Sequence, residues 1–118
     1  MIRFLLLVLI CLPAAHAAGD PAAGKRAFMK CASCHQVGSP HSGFGPHLYG
    51  IIGRSAAAAT DFKYSDAMRN SRIVWSEGKL REFLKAPNKA VPGTDMRFTG
   101  IGNDQEIDDI LAYLRMRQ

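Results

Sequence analysis

The chain has 118 residues, fifteen Lys and Arg against ten Asp and Glu, and a formal net charge of +5. The basic residues are scattered and accompany no nucleic-acid motif, which argues against nucleic acid or anionic membrane as the natural partner. Solubility and steering toward acidic partner proteins suit that charge better.

The first element in chain order is Met1-Ile2-Arg3 followed by the uniformly apolar run from Phe4 to Leu12, broken by Pro13. Ala15-His16-Ala17 then offers an A-x-A cleavage site, so residues 1–17 read as a secretory signal peptide. The run covers only about half of the roughly 20 residues a membrane-spanning helix needs, which weighs against an uncleaved anchor. Ile10 stands where a lipoprotein site wants a small residue, so Cys11 is no lipid anchor. Cleavage after Ala17 leaves residues 18–118 as one domain, with fourteen basic and ten acidic side chains and no later membrane span. Export through such a signal places the mature protein in the periplasm.

Asp20-Pro21 opens a helix, Asp as N-cap and Pro at the first helical position, and the spacing predicts that it runs to about Ser33. At its end lies Cys31-Ala-Ser-Cys34-His35. C-x-x-C-H is the attachment signature of covalent haem: residues three and four apart share a helix face, so two thiols can form thioethers while His35 supplies an imidazole nitrogen to iron. The two competing readings of the cysteine pair are a thioredoxin-like redox couple and half a zinc site. The first expects a preceding strand in a βαβ pattern, and none reads here. The second needs another ligand pair, and His41 and His47 sit in a loop at poor spacing. With Cys11 removed, Cys31 and Cys34 are the only cysteines left. A haem-bound chain then has no disulfide, and the covalent cofactor supplies the stabilisation that small exported domains usually draw from bridges.

Gln36 to about Tyr64 is rich in glycine and proline with little periodicity, a length of loop that makes sense if it wraps something. The run Ala56 to Ala59 inside it reads as a tolerant surface stretch, and His41 and His47 as exposed loop histidines. Short helices are predicted near Ser65–Asn70 and Ser76–Ala86, the second stopped by Pro87. A loop from Asn88 to Gly102 carries Pro92-Gly93-Thr94-Asp95-Met96, and Met96, set in a polar Pro/Gly loop rather than a periodic core segment, is the candidate second axial ligand. Met68 is its only serious rival. Asn103-Asp-Gln-Glu106 has capping-box spacing, and Ile107, Ile110, Leu111 and Leu114 follow at i, i+3, i+4 and i+7 in an amphipathic terminal helix. No useful alternating strand reads anywhere, so the fold class is all-α.

The motif near the start, Met96 near the end and terminal helices enclosing both resemble class I cytochromes c, closest to the mitochondrial-type branch and its photosynthetic-bacterial relatives. The resemblance covers about Gly19 to Arg115. Further matches are Gly45-Pro46-His47-Leu48-Tyr49-Gly50, Gly53-Arg54, Phe62 to Ala67, Trp75, Pro92-Gly93-Thr94 and Asp109 to Leu114. It implies N- and C-terminal helices that cross, with other helices and loops wrapping one covalent haem c. It implies His35 as proximal ligand, its other ring N–H bonded to the Pro46 carbonyl, and Met96 as distal ligand. It places Arg54, Tyr64 and Trp75 around a buried propionate, and Gly24 and Phe28 against Ile110 and Tyr113 at the helix crossing. Three positions depart from the mitochondrial pattern: Phe83 for a tyrosine, Met68 for an asparagine and Asp95 for a lysine.

The function expected is that of a monomeric periplasmic electron carrier, not an enzyme, since an iron held on both faces has no open position for a substrate. The resemblance implies a cytochrome bc complex or periplasmic dehydrogenase as donor, and a terminal oxidase, peroxidase or photosynthetic reaction centre as acceptor. Lys30, Lys85, Lys89 and Arg97 could form an interaction patch. The rival classes are a peroxidase or gas-binding haem protein with a labile methionine, and a haem subunit of a larger dehydrogenase.

Overall fold

The computed structural model describes residues 19–118. Residues 1–17, read above as a signal peptide, lie outside the described residues. Five helices follow in order: α1 (Pro21–Ala27), α2 (Asp66–Asn70), α3 (Glu77–Lys85), α4 (Pro87–Ala90) and α5 (Asp104–Arg115). Among the described residues there is no strand, only an isolated antiparallel bridge between Ser55 and Val74. The all-α expectation holds.

Each long helix starts where its side chains supply an acceptor for orphan backbone N–H groups. Asp20 caps α1 through the Ala22 N–H, Ser76 caps α3 through Lys79, and Asn103 caps α5 through Glu106. Basic residues close α1, α3 and α5, complementing the helix dipole. The first helix is shorter than its spacing suggests. It tightens into a 3-10 turn at Phe28–Lys30 and then into hydrogen-bonded turns, His35 N–H donating to the Cys31 carbonyl at 2.9 Å. Pro87 both stops α3 and opens α4, because a residue without an N–H suits the first helical position.

α1 and α5 cross in direct contact, and glycine makes that possible. A Cβ on Gly24 would stand 1.9 Å from the Asp109 carbonyl oxygen and 2.9 Å from Tyr113 Cβ. Phe28 lies against Tyr113 with ring centroids 5.5 Å apart. From this crossing the core spreads through Ile107, Ile110, Leu111 and Leu114, all buried, to Leu80 and Phe83 of α3 and to Trp75. Burying each large side chain contributes about 1.5–3 kcal/mol. Ion pairs edge α3 and α5, joining Glu77 to Arg115, Arg81 to Asp108 and Lys85 to Asp104. Pairs this exposed contribute about 0–1 kcal/mol each, so the apolar seam holds the helices together and the charges set their register. None of the helices described is long and apolar enough to cross a membrane.

Candidate functional site

A cavity of about 560 Å³ opens between α3, the Cys31–His35 turn and the loops on either side of α2. Cys31, Cys34, His35, Pro46, Arg54, Tyr64, Trp75 and Met96 all line it. The fold therefore brings these eight residues to one cavity, over 65 positions of chain between Cys31 and Met96. Leu48, Ile51, Leu80, Phe83, Leu84, Phe98 and Leu114 complete a largely apolar wall.

His35 is held in one tautomer. Its Nδ1 lies 2.7 Å from the Pro46 carbonyl oxygen, which can only accept, so Nδ1 carries the proton and Nε2 keeps its lone pair. Burial pushes the His35 pKa down while the Pro46 bond opposes it, so the ring is neutral, as metal ligation requires. Gly45 lies flat against the ring: a Cβ there would come within 2.6 Å of His35 Cε1. Gly45→Ala is expected to push the imidazole off Pro46 and to cost about 1–3 kcal/mol in denaturant unfolding of the holoprotein. Cys31 is half-buried and burial pushes its thiol pKa up against the opposing charge of Lys30, whereas Cys34 is exposed. Both line the cavity, and neither is in a disulfide.

Met96 is delivered by a tight turn. The Thr94 N–H donates to the Val91 carbonyl at 3.0 Å, Pro92 sits at the second position and Gly93 at φ +89° takes the third, the pattern of a type II turn. The Thr94 hydroxyl then accepts from the Met96 N–H at 3.3 Å, directing the chain back to the cavity.

The Arg54 guanidinium donates to the His47 carbonyl at 2.7 Å and the Tyr49 carbonyl at 3.1 Å, and it lies 3.2 Å from His47 Nδ1. The Tyr64 hydroxyl accepts from the Ala59 N–H at 3.1 Å and keeps its own proton to donate. Trp75 is buried against Phe83, centroids 5.1 Å apart. Trp75 also lines the cavity, and no buried side-chain N or O atom among the described residues is left without a partner.

Three expectations need correction. His47 is not a simple exposed loop histidine: it is half-buried beside Arg54, and burial followed by repulsion from Arg54 pushes its pKa down. The Ala56–Ala59 run is not mere surface, since Ala59 is buried and Ala57, at φ +61°, lines the cavity. The four basic residues do not make one patch. Lys30 and Arg97 line the cavity, whereas Lys85 and Lys89 border a separate depression with Glu82, and Lys30 and Lys85 are held in ion pairs with Glu106 and Asp104.

A pH prediction follows from His47. Its folded-state pKa lies below that of the unfolded chain, so the unfolded state takes up protons first as pH falls. Stability from this residue is present above the ordinary histidine range and is lost as pH drops through it. His47→Gln is expected to flatten the fall in unfolding midpoint between about pH 7 and pH 5, measured by denaturant titration at each pH.

The competing metal reading fails on geometry, because no three His, Cys, Asp or Glu side chains among the described residues are grouped to hold an ion. What remains fits a large planar apolar group. Two thiols, a neutral imidazole nitrogen, a thioether and three donor side chains all line the cavity. An all-α fold built around such a cavity defines a protein that wraps a covalently held haem. The sequence comparison gives the same answer: the cytochrome c family model matches residues 21–118, and the chain belongs to that family.

Among its relatives, cytochrome c2 of Rhodoblastus acidophilus is 48% identical over 98 residues, covering 82% of this chain and 92% of that protein. Cytochrome c-550 of Nitrobacter winogradskyi is 44% identical over 97 residues, covering 81% and 89%. The solved structure of cytochrome cH from Methylobacterium extorquens superposes with a TM-score of 0.79 at 41% identity, over 83% of this chain and 99% of that one. The cofactor of this family, and of this chain, is covalently attached haem c.

Proposed function

We propose that this chain is a soluble periplasmic electron carrier with one haem c, bound through thioethers to Cys31 and Cys34 and ligated by His35 and Met96. When bound, the haem supplies reversible one-electron chemistry at its iron. The chain's own residues do the rest. The Pro46 carbonyl fixes the His35 tautomer and strengthens its donor nitrogen. The type II turn presents Met96, and a methionine/histidine pair raises haem potential. Arg54, Tyr64 and Trp75 offer three donors to a propionate that would otherwise lie unpaired against an apolar wall, at a cost of several kcal/mol. The apolar lining excludes water and keeps reactants away from the iron.

The observation that carries this reading is that His35, its Nδ1 bonded to the Pro46 carbonyl and its Nε2 left with a lone pair, lines the same cavity as Met96. A cytochrome bc complex or a periplasmic dehydrogenase would serve as donor, and a terminal oxidase or a photosynthetic reaction centre as acceptor. Carbon monoxide tests the reading. The reduced wild-type holoprotein should not bind it at neutral pH, and rapid binding would show an open iron position and favour a gas-binding or peroxidase protein instead.

A further inference from the structure

The bond that fixes the His35 tautomer does not end at Pro46. The Pro46 carbonyl and the His47 N–H belong to one planar trans peptide unit, so whatever holds the N–H also holds and polarises the carbonyl. The His47 N–H donates to the Ser42 hydroxyl oxygen at 3.0 Å, and that hydroxyl donates to Asp61 Oδ1 at 2.6 Å. The Ser42 N–H adds a second bond to the same carboxylate, 2.8 Å to Oδ2. Beginning at His35 Nδ1, 2.7 Å from the Pro46 oxygen, three hydrogen bonds therefore run in one sense and finish on a carboxylate.

A serine bonded to an exposed aspartate is usually a surface contact that adds little to stability. Here Asp61 is exposed, but Ser42, Pro46 and His47 are half-buried. Hydrogen bonds that share a direction polarise one another, and more strongly away from water. The bonds from the Ser42 hydroxyl and N–H hold the Asp61 carboxyl below the usual carboxylate range, so the relay ends on a full negative charge at neutral pH. Both carboxylate oxygens are taken by one residue, which fixes the direction of the contact as well as its length. A carboxylate that accepts directly from the second ring N–H of a ligating histidine makes that ring a stronger donor. In this fold the same influence arrives through a hydroxyl and a peptide.

We infer that Asp61 is a positioning residue for the proximal ligand, acting through Ser42 and the 46–47 peptide to fix the Pro46 carbonyl on His35 and strengthen its donor nitrogen. A stronger donor favours ferric over ferrous iron, so the relay holds the midpoint potential below what the axial pair alone would set. The inference rests on the carrier reading, in which His35 is the proximal ligand. It adds a residue remote along the chain that tunes that ligand.

The test uses the holoprotein. Ser42→Ala breaks the relay without changing any charge, and Asp61→Asn keeps the shape of the carboxylate while removing the anion. Both should raise the midpoint potential, measured at an ionic strength of about 1 M, where a Debye length of about 3 Å screens the direct effect of the lost charge. Both should also speed deuterium exchange of the His35 ring N–H about tenfold, read by proton NMR. The double variant should go no further than Ser42→Ala alone, because the relay is already broken. The buried Ile110 and Leu111 amides of α5 should exchange as in wild type. Asp66→Asn, which removes another exposed carboxylate, one paired with Arg69, should leave both readouts unchanged. A Ser42→Ala protein with an unchanged or lowered potential, or with wild-type ring exchange, overturns the proposal. So does a rise in potential confined to Asp61→Asn or matched by Asp66→Asn, which would assign the effect to charge alone. Additive shifts in the double variant, or faster exchange at Ile110 and Leu111, would mean independent effects or general loosening and overturn it too. The carrier reading fails by a different result, rapid carbon monoxide binding by the reduced wild type, which breaking this relay neither causes nor conceals.

Discussion

Replacing Met96 with alanine is expected to convert the reduced holoprotein from one that ignores carbon monoxide to one that binds it rapidly, with a lowered midpoint potential. Two thioethers line the cavity, those of Met96 and Met68, and in the proposed ligand set no thiol or imidazole on the described wall is left to take the place of Met96, since the cysteines hold the haem and His35 the other axial position. Truncation therefore opens a coordination site. It also removes a half-buried side chain packed against the core, worth about 2 kcal/mol at the low end of large-to-small changes. Met68→Leu is the matched control. That swap conserves volume, costs less than about 1.5 kcal/mol and leaves the ligand set intact. Carbon monoxide binding by Met68→Leu rather than by Met96→Ala would exchange the roles of the two residues.

Gly24→Ala is expected to destabilise the holoprotein by about 3 kcal/mol or more in denaturant unfolding, despite the better helix propensity of alanine. The new methyl would stand 1.9 Å from a carbonyl oxygen and 2.5 Å from the carbonyl carbon of Asp109. Backbone atoms within α5 cannot turn aside as a side chain can, so the helices must separate, and Phe28 and Tyr113 lose their contact. Gly78→Ala gives the contrast. It lies in α3, where an added Cβ meets only Ser76 Oγ at 3.9 Å, and the change should stabilise by about 0.5–1 kcal/mol. A Gly24→Ala protein as stable as wild type would mean that α1 and α5 do not cross at this glycine.

The terminal helices and the haem motif were legible in the sequence because each rests on local rules. Asp20 and Asn103 are good caps, the apolar spacing of α5 has a clean helical period, and C-x-x-C-H is short and specific. What was hidden depends on contacts distant along the chain. The change from α1 to a 3-10 turn at Phe28 carries no glycine or proline to announce it. Pro87 reads as a stop, and only the structure shows that it also starts α4. Ala59 is buried, and its N–H donates to the Tyr64 hydroxyl, although its neighbours look like filler. His47 could not be told from His41 by composition; what sets it apart is a guanidinium seven residues away, folded back over a turn. The division of the basic residues likewise follows from their ion-pair partners on α5, invisible until the helices are packed.

The central claim is that Met96, and no other methionine, gives its sulfur to the iron opposite His35. Proton NMR of the reduced holoprotein with carbon-13-labelled methionine methyl groups tests it most directly, because the porphyrin ring current moves a ligand methyl far upfield of every other. One such signal is expected, retained in Met68→Leu and absent in Met96→Ala. An upfield methyl that vanishes with Met68 instead, or no upfield methyl in the wild-type protein, would contradict the account.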